Sequence, residues 1–526
     1  MRLSFTGALA APHSLATEAG AQAYHNGGNA IDAAIAAAAV LTVVYPHNVA
    51  LGGDLIALIR TPGREVRCVN ASGWAGQAAA AADLRARHGN RLPVRGADAV
   101  TVPGGVRGWD ALRRFGARLD WSATLATAES AARTGVAVAP SVAAHIAGAE
   151  AADLVGTGDF DRVFRPGGRN LCSGEDFVQP ALADSFAALR EGGPDSFYEG
   201  TLAERSVAYL RSRGSTLTTD DFATFQPEVV KPISTEFGGL TVLTSPPNTH
   251  GLLLLRALRA IDELPISDPI GIGLGRLMRV FHRANALREM YVADPRFVDV
   301  DVEALVNDTL DAQADGDTGG SAPAGLPRGD TVGVAAADSD GYAVSLIQSV
   351  YYAFGSGLID PDTGILFHNR GVGFVLDAES PNVIAPRKRP LHTLMPVMTL
   401  DAGVPRHVLA TMGGQGQPQI LAQVLLRALA GATAQESVAA PRAVVGLQSR
   451  RATADSVTAE SDIDAAAQES VVRAGLPIIG VAPSSDELGH TNVVFTDAGG
   501  AMTAASDPRS DGAAVVAHYP GSAEPR

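Results

Sequence analysis

In the stretch "RGDTVGVAAADSDGYAVSLIQS", Arg328 to Ser349, a strand pattern begins abruptly at Asp330-Thr331. The preceding residues, Asp311 to Gly329, are mostly Gly, Ala, Asp and Pro, with almost nothing to bury. A threonine hydroxyl is a poor nucleophile unless a base sits beside it. One such base is the threonine's own α-amino group, whose ordinary pKa of about 7.7 to 8.0 is close to neutrality. That amine is free only if the chain is cut between Asp330 and Thr331. A flexible segment ahead of a rigid strand suits self-cleavage, because the strand fixes the hydroxyl while the preceding peptide bends into its reach. The competing reading is that β-branched threonine simply favours strands, and local sequence alone prefers it.

Two other clusters carry chemistry. In "TMGGQGQP", Thr411 to Pro418, a Gly pair between a strand and a helix can aim backbone N–H groups at developing negative charge, as an oxyanion hole requires. A phosphate loop is disfavoured, since no Lys-Ser/Thr follows the glycines and the G-x-G-x-x-G spacing fails. A tight strand-to-helix turn explains the pair equally well. In "FHNRGVGF" and "KRPLHTLMP", Arg370, Lys388, Arg389 and His392 gather positive or ionisable groups that can hold a substrate carboxylate, Arg by bidentate pairing. For Lys388 a surface salt bridge is the better reading, and His47 in "YPHN" reads as a packed, hydrogen-bonded histidine.

The elements that must position these groups alternate between helix and strand. "GGNAIDAAIAAAAVLTVV" is a helix with Asn29 as N-cap and Asp32 reaching back to it. "NVALGGDLIALIR" gives a Gly-Gly turn and a buried strand, which points to an α/β layered architecture. Further helices read at "PALADSFAALREGG", "GTLAERSVAYLRSRG", "GLLLLRALRAI" and "PQILAQVLLRALAGA", and strands at "RHVLAT" and in "HTNVVFTDAGGAMTAASDPRSDGAA". The one good linker ends at Gly329, so the chain divides into 1–330 and 331–526.

With 526 residues, 46% hydrophobic and 18% charged, the composition is that of a soluble globular protein. A net charge of -15 leaves no basic stripe for nucleic acid or an anionic membrane, so a small-molecule ligand is expected. Two cysteines, Cys68 and Cys172, make no disulfide framework, and no Cys/His spacing resembles a metal site. The N-terminus lacks a convincing secretory segment, and the apolar run Ala30 to Tyr45 is too short and Ala-rich to span a membrane. A cytoplasmic protein is the expectation.

The order of the motifs resembles the γ-glutamyltransferase family of N-terminal-nucleophile (Ntn) hydrolases over nearly the whole chain. The resemblance is carried by "HNGGNAIDAAIA", "LGGDL", "VPGGVRGW", "GGPDSFYEGTLAE", "TTDDFATFQPEV", "GDTVGVAAADSDGYAVS", "FGSG", "KRPLHTLMP", "MGGQGQP" and "ASDPRSDGAA". It implies a four-layer αββα sandwich formed jointly by a large subunit, 1–330, and a small subunit, 331–526, cut from one precursor. It implies an αβ heterodimer that can pair further, and an acyl-enzyme on Thr331. It places Gly413 and Gly414 as the oxyanion hole and Ser349 where the family carries a hydroxyl bonded to the nucleophile. No metal or organic cofactor is implied.

The departures shape the expected substrate. At the place of the family's carboxylate-binding Arg stands Ser72, with Trp74 nearby; the family's amino-binding Asp falls at Gly373, and its paired serines at His392 and Thr393. A buried α-amino or α-carboxylate group without a partner costs several kcal/mol, roughly 2 to 7 for a polar group, so a γ-glutamyl hydrolase or transferase is disfavoured. The form is closer to the amidohydrolase-like branch that includes oxamate amidohydrolases. The leading expectation is hydrolysis of an amide or related acyl bond in a small carboxylate-bearing substrate. Arg370 is the first choice for the carboxylate, with Asn369 and Tyr351 in the binding set. Trp74 offers a flat apolar wall for an unsaturated or cyclic portion. The alternatives are a carbon–carbon bond hydrolase of specialised metabolism that releases a short oxo-acid such as oxalate, and an unprocessed, inactive scaffold.

Overall fold

The computed structural model describes residues 5–264, 266–308 and 329–519. The linker expected over 311–328 lies outside the described residues. Thirteen strands form two antiparallel sheets. The first has the order β13-β1-β7-β8-β2-β3-β4, with β1 Phe5–Ala11, β2 Asp54–Arg60, β3 Arg67–Ala71, β4 Glu228–Val230, β7 Gly329–Asp338, β8 Ala343–Tyr352 and β13 Ala513–Tyr519. The second has the order β12-β11-β10-β9-β6-β5, with β5 Ile233–Phe237, β6 Leu240–Thr244, β9 Val397–Asp401, β10 Val404–Thr411, β11 Thr491–Thr496 and β12 Met502–Ser506.

Alternation along β7 explains how the sheets stack. Val332, Val334 and Ala336 face the helices, while Ala335 and Ala337 join Ile56, Ile347, Met398 and Val408 between the sheets. Outside the first sheet lie α1 (Ser14–His25), α2 (Ala30–Val44), α3 (Trp121–Thr134) and α4 (Pro180–Gly192); outside the second lie α5 (Gly251–Glu263), α6 (Leu274–Ala286), α7 (Gln417–Leu429) and α8 (Ala465–Arg473). The result is the four-layer αββα sandwich. Helix α2 carries the expected capping box: Asn29 Oδ1 accepts from Ile31 N, and Asp32 Oδ2 accepts from Asn29 N at 2.9 Å. Its alanine body is buried along its whole length and packs against α1 and β7. No described helix is long and apolar enough to cross a membrane.

The expected division at 330/331 falls inside β7, because the strand runs from Gly329, just ahead of the Asp330-Thr331 start that the sequence pattern indicates. Both sheets are woven from the two segments. In the first, β7 and β8 lie between β1 and β2 of the earlier part of the chain, and β13 pairs with β1 at the edge.

Candidate active site

Thr331 is buried on β7, on the face shared with Gly333 and Ala335, so its side chain points between the sheets. A Cβ on Gly333 would lie 2.6 Å from the Ala410 carbonyl carbon, and this glycine lets β10 approach β7. Thr331 Oγ1 donates to Ser349 Oγ at 3.2 Å, and Ser349 Oγ donates to the Asp330 carbonyl at 2.6 Å while accepting from Tyr351 N–H at 2.7 Å. The Asp330-Thr331 peptide thus has a hydroxyl beside it and a hydroxyl donor on its carbonyl oxygen. Register between β7 and β8 shifts between Gln348 and Tyr351, and Tyr351, at φ 81°, is held in the left-handed region. The irregularity turns Ser349 and Tyr351 together toward the Asp330 end of β7. Asn48 Nδ2 donates to the Thr331 carbonyl at 3.3 Å.

Beyond the end of β10, Gly413 (φ 144°) and Gly414 (φ 52°) open a short turn that packs against β7 and leads into α7. These backbone angles, and an Ile420 carbon 2.3 Å from where a Gly413 Cβ would stand, demand glycine. Among the described residues the Gly413 and Gly414 N–H groups have no acceptor in the chain, so both are available to an oxyanion.

A charged cluster lies next to Thr331. Arg370 is fully buried and stacks on the Tyr351 ring, 3.8 Å from its centroid, while Tyr351 pairs with Asp330 in the sheet. Its Nη1 donates to Thr393 Oγ1 at 3.2 Å, whereas its Nε and Nη2 have no acceptor among the described residues. Burial lowers its pKa, opposed by Tyr351 and Asp54. His392 Nδ1 accepts from Leu394 N–H and its Nε2 donates to Asp54 Oδ2 at 3.2 Å, an arrangement that requires the neutral ring. Burial, with Arg370 nearby, pushes its pKa down to about 3. Asp54, the cross-strand partner of Ser349, also accepts from Gly73 and Gly104 N–H. Burial would raise its pKa, but His368, His392 and Arg370 outweigh that and keep it ionised.

The remaining expected residues fall around this cluster. Asn369 accepts from Tyr352 N–H and donates to the Val94 carbonyl, fixing the loop that carries Arg370. Ser72 is spent on Asn70 Oδ1 at 2.7 Å, next to Asn248. At Gly373 a Cβ would lie 2.4 Å from the Leu391 carbonyl oxygen, so an aspartate has no room there. Trp74 packs edge-on to Phe225 and lies under Arg296 and Arg387. Lys388 departs from the surface salt bridge expected of it: it is buried and donates to the Pro381 carbonyl at 2.6 Å. Arg389 is committed to Glu228 at 2.6 Å. His47 is packed against Tyr45 and His145, but among the described residues its ring nitrogens make no hydrogen bond. Sequence reasoning passed over Asp54 and His368, although a carboxylate opening an apolar strand in "LGGDL" and a histidine two residues before Arg370 were visible signals.

Comparison with known proteins bears on this geometry. The profile of the family described as gamma-glutamyltranspeptidase matches residues 16–517. The chain is 36% identical over 526 residues to the oxamate amidohydrolase proenzyme of Klebsiella pneumoniae, covering 98% of this chain and 99% of the relative. It is 35% identical over 517 residues to the glutathione hydrolase-like YwrD proenzyme of Bacillus subtilis, covering 96% and 98%. Among solved structures, cephalosporin acylase from Bacillus halodurans superposes with a TM-score of 0.89 at 32% identity, over 97% of this chain and 96% of that one.

Proposed function

The chain belongs to the gamma-glutamyltranspeptidase family and is an amide-hydrolysing enzyme of the Ntn type; from that premise we propose that it matures by cutting itself before Thr331 and then hydrolyses amides of a short oxo-acid through an ester on Thr331 Oγ1. The observation that carries the substrate reading is Arg370, a buried guanidinium with Nε and Nη2 unpaired, one aromatic ring from the cleavage point. A buried cation with unused donors is costly, and a bound carboxylate supplies what it lacks.

The hydrogen bonds of the uncut chain support a route to maturation. Thr331 Oγ1 attacks the Asp330 carbonyl carbon, whose oxygen accepts from Ser349 and carries the negative charge of the tetrahedral intermediate. The C–N bond then breaks, the nitrogen takes the proton that Oγ1 gave up and becomes the Thr331 α-amine, and Asp330 is left esterified to Oγ1. Water hydrolyses that ester. In turnover the new amine accepts the Oγ1 proton as Oγ1 attacks the substrate amide, Gly413 and Gly414 N–H groups hold the oxyanion, and the leaving amine departs with the proton. A second water frees the acid and restores Thr331.

Recognition of a γ-glutamyl end is opposed by the packing of Gly373 and by the engagement of Ser72 with Asn70. The name of the Klebsiella pneumoniae relative, oxamate amidohydrolase, suggests the probe. Wild-type protein should run on a denaturing gel as two pieces and release oxalate and ammonia from oxamate, while Thr331→Ala should run as one inactive chain. A single wild-type band, or glutamate release from γ-glutamyl-4-nitroanilide with no action on oxamate, contradicts the proposal.

A further inference from the structure

Against Gln415 and Gly416, at the helix end of the Gly413–Gly416 turn, lies a cavity of about 600 Å³, far more than a two-carbon acid fills. Its walls are the end of α6, the residues that follow it, Gln415 and Gly416, and segment 445–448. Arg288 is the buried cation of this wall, 7% exposed. Its Nη1 donates to Gln415 Oε1 at 3.0 Å, and its Nη2 donates to the Gln415 carbonyl at 3.0 Å and to Asn285 Oδ1 at 2.8 Å. Three of its five N–H groups are thus used, and Nε has no acceptor among the described residues. The carboxylates at the rim point to other partners, Glu289 to Arg91 at 3.5 Å and Asp455 to His282 at 2.7 Å. Gln448, on the opposite wall, donates to the Gly413 carbonyl at 3.3 Å and to the Glu487 carbonyl at 2.8 Å. Two cavity side chains therefore hold the oxyanion turn, and one of them, Arg288, brings a buried positive charge that acts on Glu289 at the rim and on Tyr351, the ring under Arg370. Burial lowers the Arg288 pKa only to about 10, so it stays charged at neutral pH.

We propose that this cavity is the subsite for the leaving amine, and that it takes an amine portion bearing its own carboxylate, held by Arg288. The inference rests on the amidase reading above and extends it: Arg370 binds the acyl side, Arg288 the leaving side. An occupant would touch Gln415 and Gly416, so the group being expelled would rest against the same turn that stabilises the oxyanion.

Direct binding separates this inference from the reading beneath it. Calorimetry on the mature enzyme should detect 3-aminobenzoate binding at least ten times tighter than aniline. Arg288→Met should remove that preference, and Leu447→Trp, which puts a bulky ring into the cavity while leaving the Arg288 side chain in place, should weaken 3-aminobenzoate at least tenfold. In turnover, the 3-carboxy derivative of oxanilic acid should show a KM at least tenfold below that of oxanilic acid. Equal binding of the two amines by wild type, or an unchanged affinity for 3-aminobenzoate in a folded Leu447→Trp enzyme, overturns the subsite. Selective binding of 3-aminobenzoate without hydrolysis of either anilide supports the subsite and sinks the amidase reading instead.

Discussion

Ser349 serves three partners with one oxygen, and its loss should be felt first in maturation. Ser349→Ala removes the donor to the Asp330 carbonyl, and loss of one oxyanion donor costs about 10²-fold in rate. A gel time course after synthesis should show cleavage slowed by about that factor; cleavage at the wild-type rate would assign the hydroxyl no part in the step. Arg370 makes the opposite test, of binding against stability. Arg370→Met should lower kcat/KM for a carboxylate substrate by about 10²-fold, the equivalent of one charge-assisted hydrogen bond of roughly 1.5 to 3 kcal/mol. Because the guanidinium is buried with two unpaired donors, the same change should leave the melting temperature unchanged or higher. A fall of several degrees would mean that Arg370 supports the fold rather than a ligand.

At the level of elements, close approach of the two sheets is what the placement of Thr331 depends on. Gly333→Val puts a side chain against the Ala410 backbone, which cannot yield as a side chain does, and should destabilise the protein by about 1 to 3 kcal/mol or more, read as a lowered urea midpoint. An unchanged midpoint would mean the sheets separate freely. The same scale explains what the sequence could and could not reveal. Asn29 and Asp32 act three residues apart, so the capping box of α2 was readable in the chain, as was the period-two alternation of β7 and β8. Asp54 escaped notice because its partners, Gly73, Gly104, His368 and His392, meet it only after folding. The commitments of Lys388 and Arg389 to Pro381 and Glu228 likewise separate them from Arg370, which a run of basic residues in the sequence cannot do.

Across the whole molecule, buried histidines set the response to acid. Burial holds His392 at about 3 and His490 at about 4, and drives His47 and His250 well below the ordinary value. In the unfolded chain histidine titrates near 6.5, so below that pH the unfolded state binds protons that the native state refuses. The histidine contribution to stability is therefore complete above about pH 6.5 and falls as pH drops toward about 4, each such residue contributing up to roughly 1.4 kcal/mol per pH unit. Urea titrations at pH 7 and pH 5 should show a lower midpoint in acid; equal midpoints would contradict neutral buried rings. Interleaved sheets make a second whole-molecule expectation. The two pieces of the mature enzyme should co-elute on size exclusion and unfold in one transition, since neither holds a complete sheet. Separation of the pieces in native buffer would be incompatible with that weave.

The pairing of β1 with β13 has a use in engineering. Phe5 lies opposite Tyr519, so the first and last described strands are antiparallel neighbours that a short hairpin could join. A circularly permuted gene that starts at Thr331, passes from residue 519 to residue 5 through such a hairpin, and ends at Asp330 would make every strand in its present register. Once the initiator methionine is removed, that polypeptide would carry its nucleophile at a translated N-terminus, and enzyme activity would no longer depend on a precursor that cuts itself.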